Sequence, residues 1–277
     1  MTGSGPRQAE DENASAMVIV TLTTTPARMC ALDATLQSIL RQKRRADRVI
    51  VYIPKTYRRA EFGSYTIPDV PAGIEVRVCE HDYGPATKIL PAVLEFAGRD
   101  VRIVYCDDDQ VYDPDWLERL VEASVRHPGE CIADRGFRVA KFDARRKFKQ
   151  PQFRLLKWAS LGLWQPLRKF DTRREDTVDL AMGFGGVLVR PEYFTADAFH
   201  IPDVLWTVDD VWLSGQLALN GIRIRQASGR RESANSPAAD LVSLFKSTIE
   251  GHDRTSANQQ CVEYFRRNHG IWSSTAP

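Results

Sequence analysis

The sequence predicts an α/β fold in a single domain, with a mixed, mostly parallel sheet and helices on both faces. Two observations carry this. Short apolar runs of strand length alternate with segments whose apolar residues recur at helical spacing, which is the rhythm of βαβ units. A chain of 277 residues with a hydrophobic fraction of 43% also has enough apolar surface for one sizeable core.

The elements follow in order. "AMVIVTLTT" is a β-rich apolar run closed by a turn at Pro26, and in "ALDATLQSILRQ" the residues Leu32, Leu36, Ile39 and Leu40 fall at helical spacing. "RVIVYIP" and "IEVRVCE" are short strands, "ATKILPAVLEFAG" is a helix carried past an internal proline, and "VRIVYC" begins the fourth strand. "DPDWLERLVEASVRHP" is a helix whose start is marked by Asp113 and Pro114 and which ends near Pro128. A basic, aromatic stretch follows whose secondary structure the pattern does not assign. "LAMGFGGVLVRPEYF" then returns to a glycine turn and a strand, and "TVDDVWLSGQLALNG" is a helix ended by Gly221. "IRIRQA" is a last strand and "SANQQCVEYFRRNHGIW" a closing helix. Residues 1–16 are polar, small and acidic, and read as a disordered tail before a domain spanning 17–277.

Composition narrows the function. Lysine plus arginine exceed aspartate plus glutamate by only 38 to 36, so overall charge does not point to nucleic acid. The five cysteines, Cys30, Cys79, Cys106, Cys131 and Cys261, are widely spaced without a C-x-x-C pair, against both a disulfide framework and a zinc ribbon. No apolar run reaches the ~18 residues that a membrane span needs. A cytoplasmic location is the expectation.

The chemistry gathers in "YCDDDQVYDPDW", where Asp107, Asp108 and Asp109 follow a buried strand. Ligands of parallel sheets sit at the carboxyl ends of strands, and crowded carboxylates there call for positive charge, such as a bound cation. The same run could be a solvated turn with helix-capping aspartates. Read as an EF-hand, with Asp107, Asp109, Asp113, Asp115 and Glu118 as ligands, it fails at Tyr112, where a glycine is needed, and in following a strand. "VYCDDDQV" also resembles the nucleophile strand of haloacid dehalogenase-type phosphatases, with Asp107 as nucleophile, although several βα units precede it.

Four motifs in register carry a stronger resemblance. "VIVTLTTTPARMCALDATLQSILRQ", "DYGPATKILPAVLEFAGRDVRIVYCDDDQVY", "GFGGVLVRPEYF" and "WTVDDVWLSGQLALNGIRI" resemble successive motifs of GT-A fold glycosyltransferases, particularly the family 2-like group. The resemblance covers residues 17–225 and implies a Rossmann-like fold, with a nucleotide-sugar-binding half at 17–130 and an acceptor-binding half at 131–277. It implies transfer of a sugar from a nucleoside diphosphate, uridine diphosphate foremost, to a saccharide or lipid-linked saccharide acceptor in surface-glycan synthesis. Mn2+ or Mg2+ would neutralise the leaving diphosphate, and carboxylate oxygens suit both ions.

By that resemblance Asp107 and Asp109 form an Asp-x-Asp pair that contacts metal, with Asp107 or Asp108 nearer the ribose. Thr23, Thr24 and Arg28 line the nucleotide loop, Asp82 binds the base, and Lys88 faces the diphosphate. Gly185 and Gly186 form an acceptor-side loop, with Trp158 and Trp206 as acceptor platforms. Asp210, with Asp209 beside it, is the general base of an inverting transfer, and His252 closes the metal shell. Plainer roles fit the same residues: a polar turn, a glycine turn, and aspartates placed favourably at a helix amino terminus. The basic aromatic segment 145–170 could be an acceptor platform, a peripheral contact with anionic lipid, or a flap with a solvated basic face.

Overall fold

Met17–Thr23, β1, is apolar at nearly every position because it runs through a sheet covered on both sides. The structure is a computed structural model that describes residues 16–140, 175–229, 234–237 and 254–273. After β1 come α1 (Asp33–Leu40), β2 (Arg48–Pro54), β3 (Ile74–Cys79), α2 (Leu90–Glu95), β4 (Val101–Tyr105) and a short β5 (Gln110–Val111). Next are α3 (Trp116–Arg126), β6 (Cys131–Ala133), β7 (Gly136–Phe137), β8 (Thr177–Val178), β9 (Leu180–Ala181) and β10 (Val187–Val189). The described chain closes with α4 (Asp209–Leu219), β11 (Ile224–Gln226), β12 (Ala234–Asn235) and α5 (Arg254–His269).

Among the described residues the main sheet has eight strands, in the order β3-β2-β1-β4-β10-β6-β11-β8. β1 to β4 pair in parallel, β10 runs antiparallel to both β4 and β6, and β11 is parallel to β6. From β1 the chain moves to β2 and β3 on one flank and then crosses to β4 on the other. The crevice beyond Thr23 and Tyr105 is therefore a topological switch point, where α/β sheets hold ligands. Val187 pairs with Tyr105, so the glycine turn entering β10 lies at the same edge.

Side chains alternate between two apolar layers, as strand geometry requires. Ile19, Ile50, Ile103, Tyr105, Val187 and Val189 face α2, α4 and α5. Val18, Val20, Val49, Val51, Val104 and Leu188 face α1 and α3. Helices on both faces of a mixed, mostly parallel sheet are the predicted architecture.

Three details differ from the expectation. The helix drawn through Pro91 is two pieces, a 3-10 turn at Gly84–Lys88 and then α2, with Pro91 in its first turn, where a missing N–H removes no helical bond. "DPDW" starts α3 only at Trp116, whose N–H bonds the Asp113 carbonyl, while Gln42 accepts from the Leu117 N–H. The pairs β5–β12 and β7–β9 had no counterpart in the sequence reading, since two residues show no periodicity.

Candidate active site

Past Tyr105 the parallel pairing continues one residue further, the Cys106 N–H donating to the Thr21 carbonyl at 3.0 Å. The three aspartates then alternate. Asp108 points inward at 4% exposure, and the side chains of Asp107 and Asp109 are each 28% exposed. The Asp108 carboxylate accepts the Thr24 hydroxyl at 2.6 Å and meets Arg28 Nη1 at 2.6 Å, while its carbonyl accepts the Thr35 hydroxyl at 2.7 Å. Burial pushes the Asp108 carboxyl up to about 6, against the pull of Arg28 and Thr24. Arg28 Nη2 reaches Asp109 at 2.5 Å, and the Gln110 amide also donates to Asp109. One arginine thus spans two of the three carboxylates.

Lys88 serves the third. It ends the 3-10 turn at 2% exposure and meets Asp107 at 2.5 Å, Asp209 at 2.7 Å and Asp210 at 3.7 Å. Burial alone would favour the neutral amine. The Asp107, Asp209 and Asp210 charges outweigh it and hold the ammonium pKa well above its ordinary value. The EF-hand reading fails here as well, because the run follows a strand, β4, where an entering helix is needed.

Asp209 and Asp210 open α4 and are both buried. Asp210 accepts the Gly183 N–H at 2.9 Å. Asp209, by contrast, accepts no hydrogen bond on either oxygen among the described residues and is compensated by the Lys88 charge. The two neighbours thus sit in different settings. A Cβ on Gly183 would overlap Lys88 Nζ and come within 2.9 Å of Asp107 Oδ1, so the bare turn is what lets this cluster close.

The remaining predicted residues are placed as follows. Thr23 donates its hydroxyl to the Tyr52 carbonyl at 2.8 Å, and Thr24 donates to Asp108. Arg28 and Lys88 likewise lie on carboxylates of the Asp107–Asp109 turn. Asp82 caps the Arg58 and Gly84 N–H groups at 2.7 and 2.8 Å, and burial raises its pKa. Gly185 accepts the Trp116 indole N–H at 2.7 Å. Gly186, at φ +88°, has no room for a side chain, since a Cβ would lie 2.6 Å from Trp116 Nε1. Trp206 donates Nε1 to the Asp82 carbonyl at 3.2 Å. Trp158, His252 and the segment 145–170 lie outside the described residues.

Sequence reasoning missed Trp116, which seats the Gly185–Gly186 turn, and Arg59, which packs against Trp206. The first had a visible signal in "DPDW"; the second is one arginine in a loop. Among the described residues no group of three His, Cys, Asp or Glu side chains is arranged to hold a metal, and no helix is long and apolar enough to cross a membrane.

Comparison with known proteins adds the family. No curated protein sequence matches the chain. Solved structures with some likeness include glucosyl-3-phosphoglycerate synthase from Mycobacterium tuberculosis with Mn2+, uridine diphosphate and glucosyl-3-phosphoglycerate. It is 14% identical over 99% of this chain and 87% of that one, at a TM-score of 0.49. The same enzyme with Mn2+, uridine diphosphate glucose and glycerol 3-phosphate is 15% identical over 99% and 87%, at 0.46. A mycobacterial protein is 17% identical over 99% and 82%, at 0.44. A phosphatase nucleophile at Asp107 is set aside on two grounds: its strand is the fourth, deep in the sheet order, and the sequence profile that matches is of another family. That profile, described as Glycosyl transferase family 2, spans residues 25–192, well over half of the sequence, and the chain belongs to this family.

Proposed function

We propose that the chain, as a nucleotide-sugar glycosyltransferase, moves a sugar from a uridine diphosphate donor to a saccharide acceptor in surface-glycan synthesis, with inversion at the anomeric carbon. One observation carries the reading. Lys88 joins Asp107, at the switch point of the sheet, to Asp209 and Asp210 at the start of α4. Donor-side and acceptor-side carboxylates thereby share one site.

The residues present fit a divalent cation. Asp107 and Asp109 offer hard carboxylate oxygens with partial exposure, and Mg2+ or Mn2+ is commonly held by one or two carboxylates plus substrate phosphate and water. When bound, the ion would supply Lewis acidity to the departing diphosphate. Everything else falls to the chain. Arg28 and Thr24 fix Asp108, and through it the backbone of the Asp107–Asp109 turn. Asp210, oriented by the Gly183 N–H, takes the acceptor hydroxyl proton on its carboxylate, and Lys88 stabilises the charged form of that carboxylate before transfer.

A panel of nucleoside diphosphate sugars, screened by thermal shift with and without Mn2+, tests the donor. A ligand at a hundredfold its dissociation constant adds ~2.7 kcal/mol of stability. The expected outcome is a metal-dependent shift with uridine nucleotides alone. Shifts of equal size with every base, or with none, contradict it.

A further inference from the structure

The loop after β2 carries Arg58 and Arg59, and both guanidinium groups lie over the Trp206 ring, at 5.3 and 6.0 Å. Three loops are fastened together here. Trp206 donates to the Asp82 carbonyl, the Asp82 carboxylate accepts the Arg58 N–H, and a Cβ on Gly84 would come within 2.8 Å of the Trp206 carbonyl oxygen. Arg58 is 45% exposed and meets Asp203 at 3.1 Å.

Arg59 is in a different state. Its side chain is 12% exposed and lies over the Phe62 ring as well, at 5.7 Å. Glu61 stands off at 3.9 Å, and Nη2 is buried without a hydrogen-bond partner among the described residues. Aromatic faces and the charge of nearby Asp82 make the cation tolerable, but neither supplies an acceptor to Nη2. A planar fork with an unsatisfied donor suits an oxyanion, which a guanidinium binds through two parallel hydrogen bonds.

We propose that Arg59, with Arg58 on the same Trp206 ring, forms a recognition subsite for an oxyanion, phosphate or carboxylate, carried by the sugar acceptor. This rests on the glycosyltransferase reading above. Two features favour the acceptor over the donor diphosphate. Trp206 lies on the loop that leads into α4, four residues before Asp210, and the cations nearest the Asp107–Asp109 turn, Arg28 and Lys88, are a separate pair.

The test titrates inorganic phosphate against the protein, followed by thermal shift, first alone and then with saturating uridine diphosphate and Mg2+. Phosphate stabilises the wild type in both conditions. In Arg59→Gln the half-saturating phosphate concentration rises by about tenfold, the size expected for a lost charge-assisted contact, with the uridine diphosphate response unchanged. Arg58→Gln, at an exposed position, shows a smaller rise and carries the test if Arg59→Gln does not fold. No phosphate response in the wild type, or an equal response in the wild type and both variants, overturns the subsite. A response that uridine diphosphate abolishes overturns the acceptor assignment, since the arginines would then serve the donor. Absence of any uridine diphosphate response counts against the donor reading instead, and an Arg59-dependent phosphate response in that case still supports the oxyanion subsite.

Discussion

Asp210→Asn is expected to lower kcat for sugar transfer by about 10²–10⁴-fold, the usual contribution of a positioned general base, while donor affinity stays within about twofold. The reason is positional. Asp210 is buried at the start of α4, its carboxylate is oriented by the Gly183 N–H at 2.9 Å, and Lys88 stands 3.7 Å away. An amide of the same shape keeps one acceptor oxygen for Gly183 but cannot take a proton from the acceptor hydroxyl. Asp209→Asn is the instructive companion, because Asp209 accepts no hydrogen bond among the described residues and lies against Lys88 at 2.7 Å. A kcat for Asp210→Asn near that of the wild type, with donor still bound, would mean that the protein binds nucleotide sugar by this fold without using Asp210 in turnover.

The second large effect is on stability. Lys88→Met is expected to destabilise the fold by about 3–5 kcal/mol, the range found when one partner of a buried ion pair is removed. Methionine fills much the same volume, so lost charge and not a cavity dominates. What remains is Asp209, 1% exposed, with neither oxygen hydrogen-bonded among the described residues and its cation gone. Adding Asp209→Asn to Lys88→Met removes that stranded charge and is expected to restore a substantial part of the loss. Urea unfolding of the two single variants and the double variant measures this coupling. Purely additive losses would show that Lys88 and Asp209 do not interact as the 2.7 Å separation implies.

How much of this was legible in the sequence differs by element. β1, β2 and β4 were legible because strands buried on both faces are unbroken apolar runs. α4 was legible from its acidic start and from Gly221, which adopts φ +72° where the helix stops. β5, β7, β9 and β12 were not, since each is a two-residue strand held by a distant partner. At the site, the Asp107–Asp109 run announced that positive charge was needed, but composition could not say whose. The fold supplies Arg28 and Lys88 from 79 and 19 positions before Asp107. Such pairings depend on strand order, which a linear sequence does not display. Arg59 carried no signal, because only the meeting of its loop with Trp206 distinguishes it from any solvated arginine.

The central claim is that the carboxylates past β4 hold the donor through a divalent cation. Calorimetric titration of uridine diphosphate with and without Mn2+, for the wild type and Asp109→Asn, tests it most directly. Tight binding is expected in the wild type only when Mn2+ is present, weakened by about tenfold or more in Asp109→Asn, whose side chain is one of the two partly exposed carboxylates of the turn. Equal affinity with and without the metal, unchanged by the substitution, would contradict it.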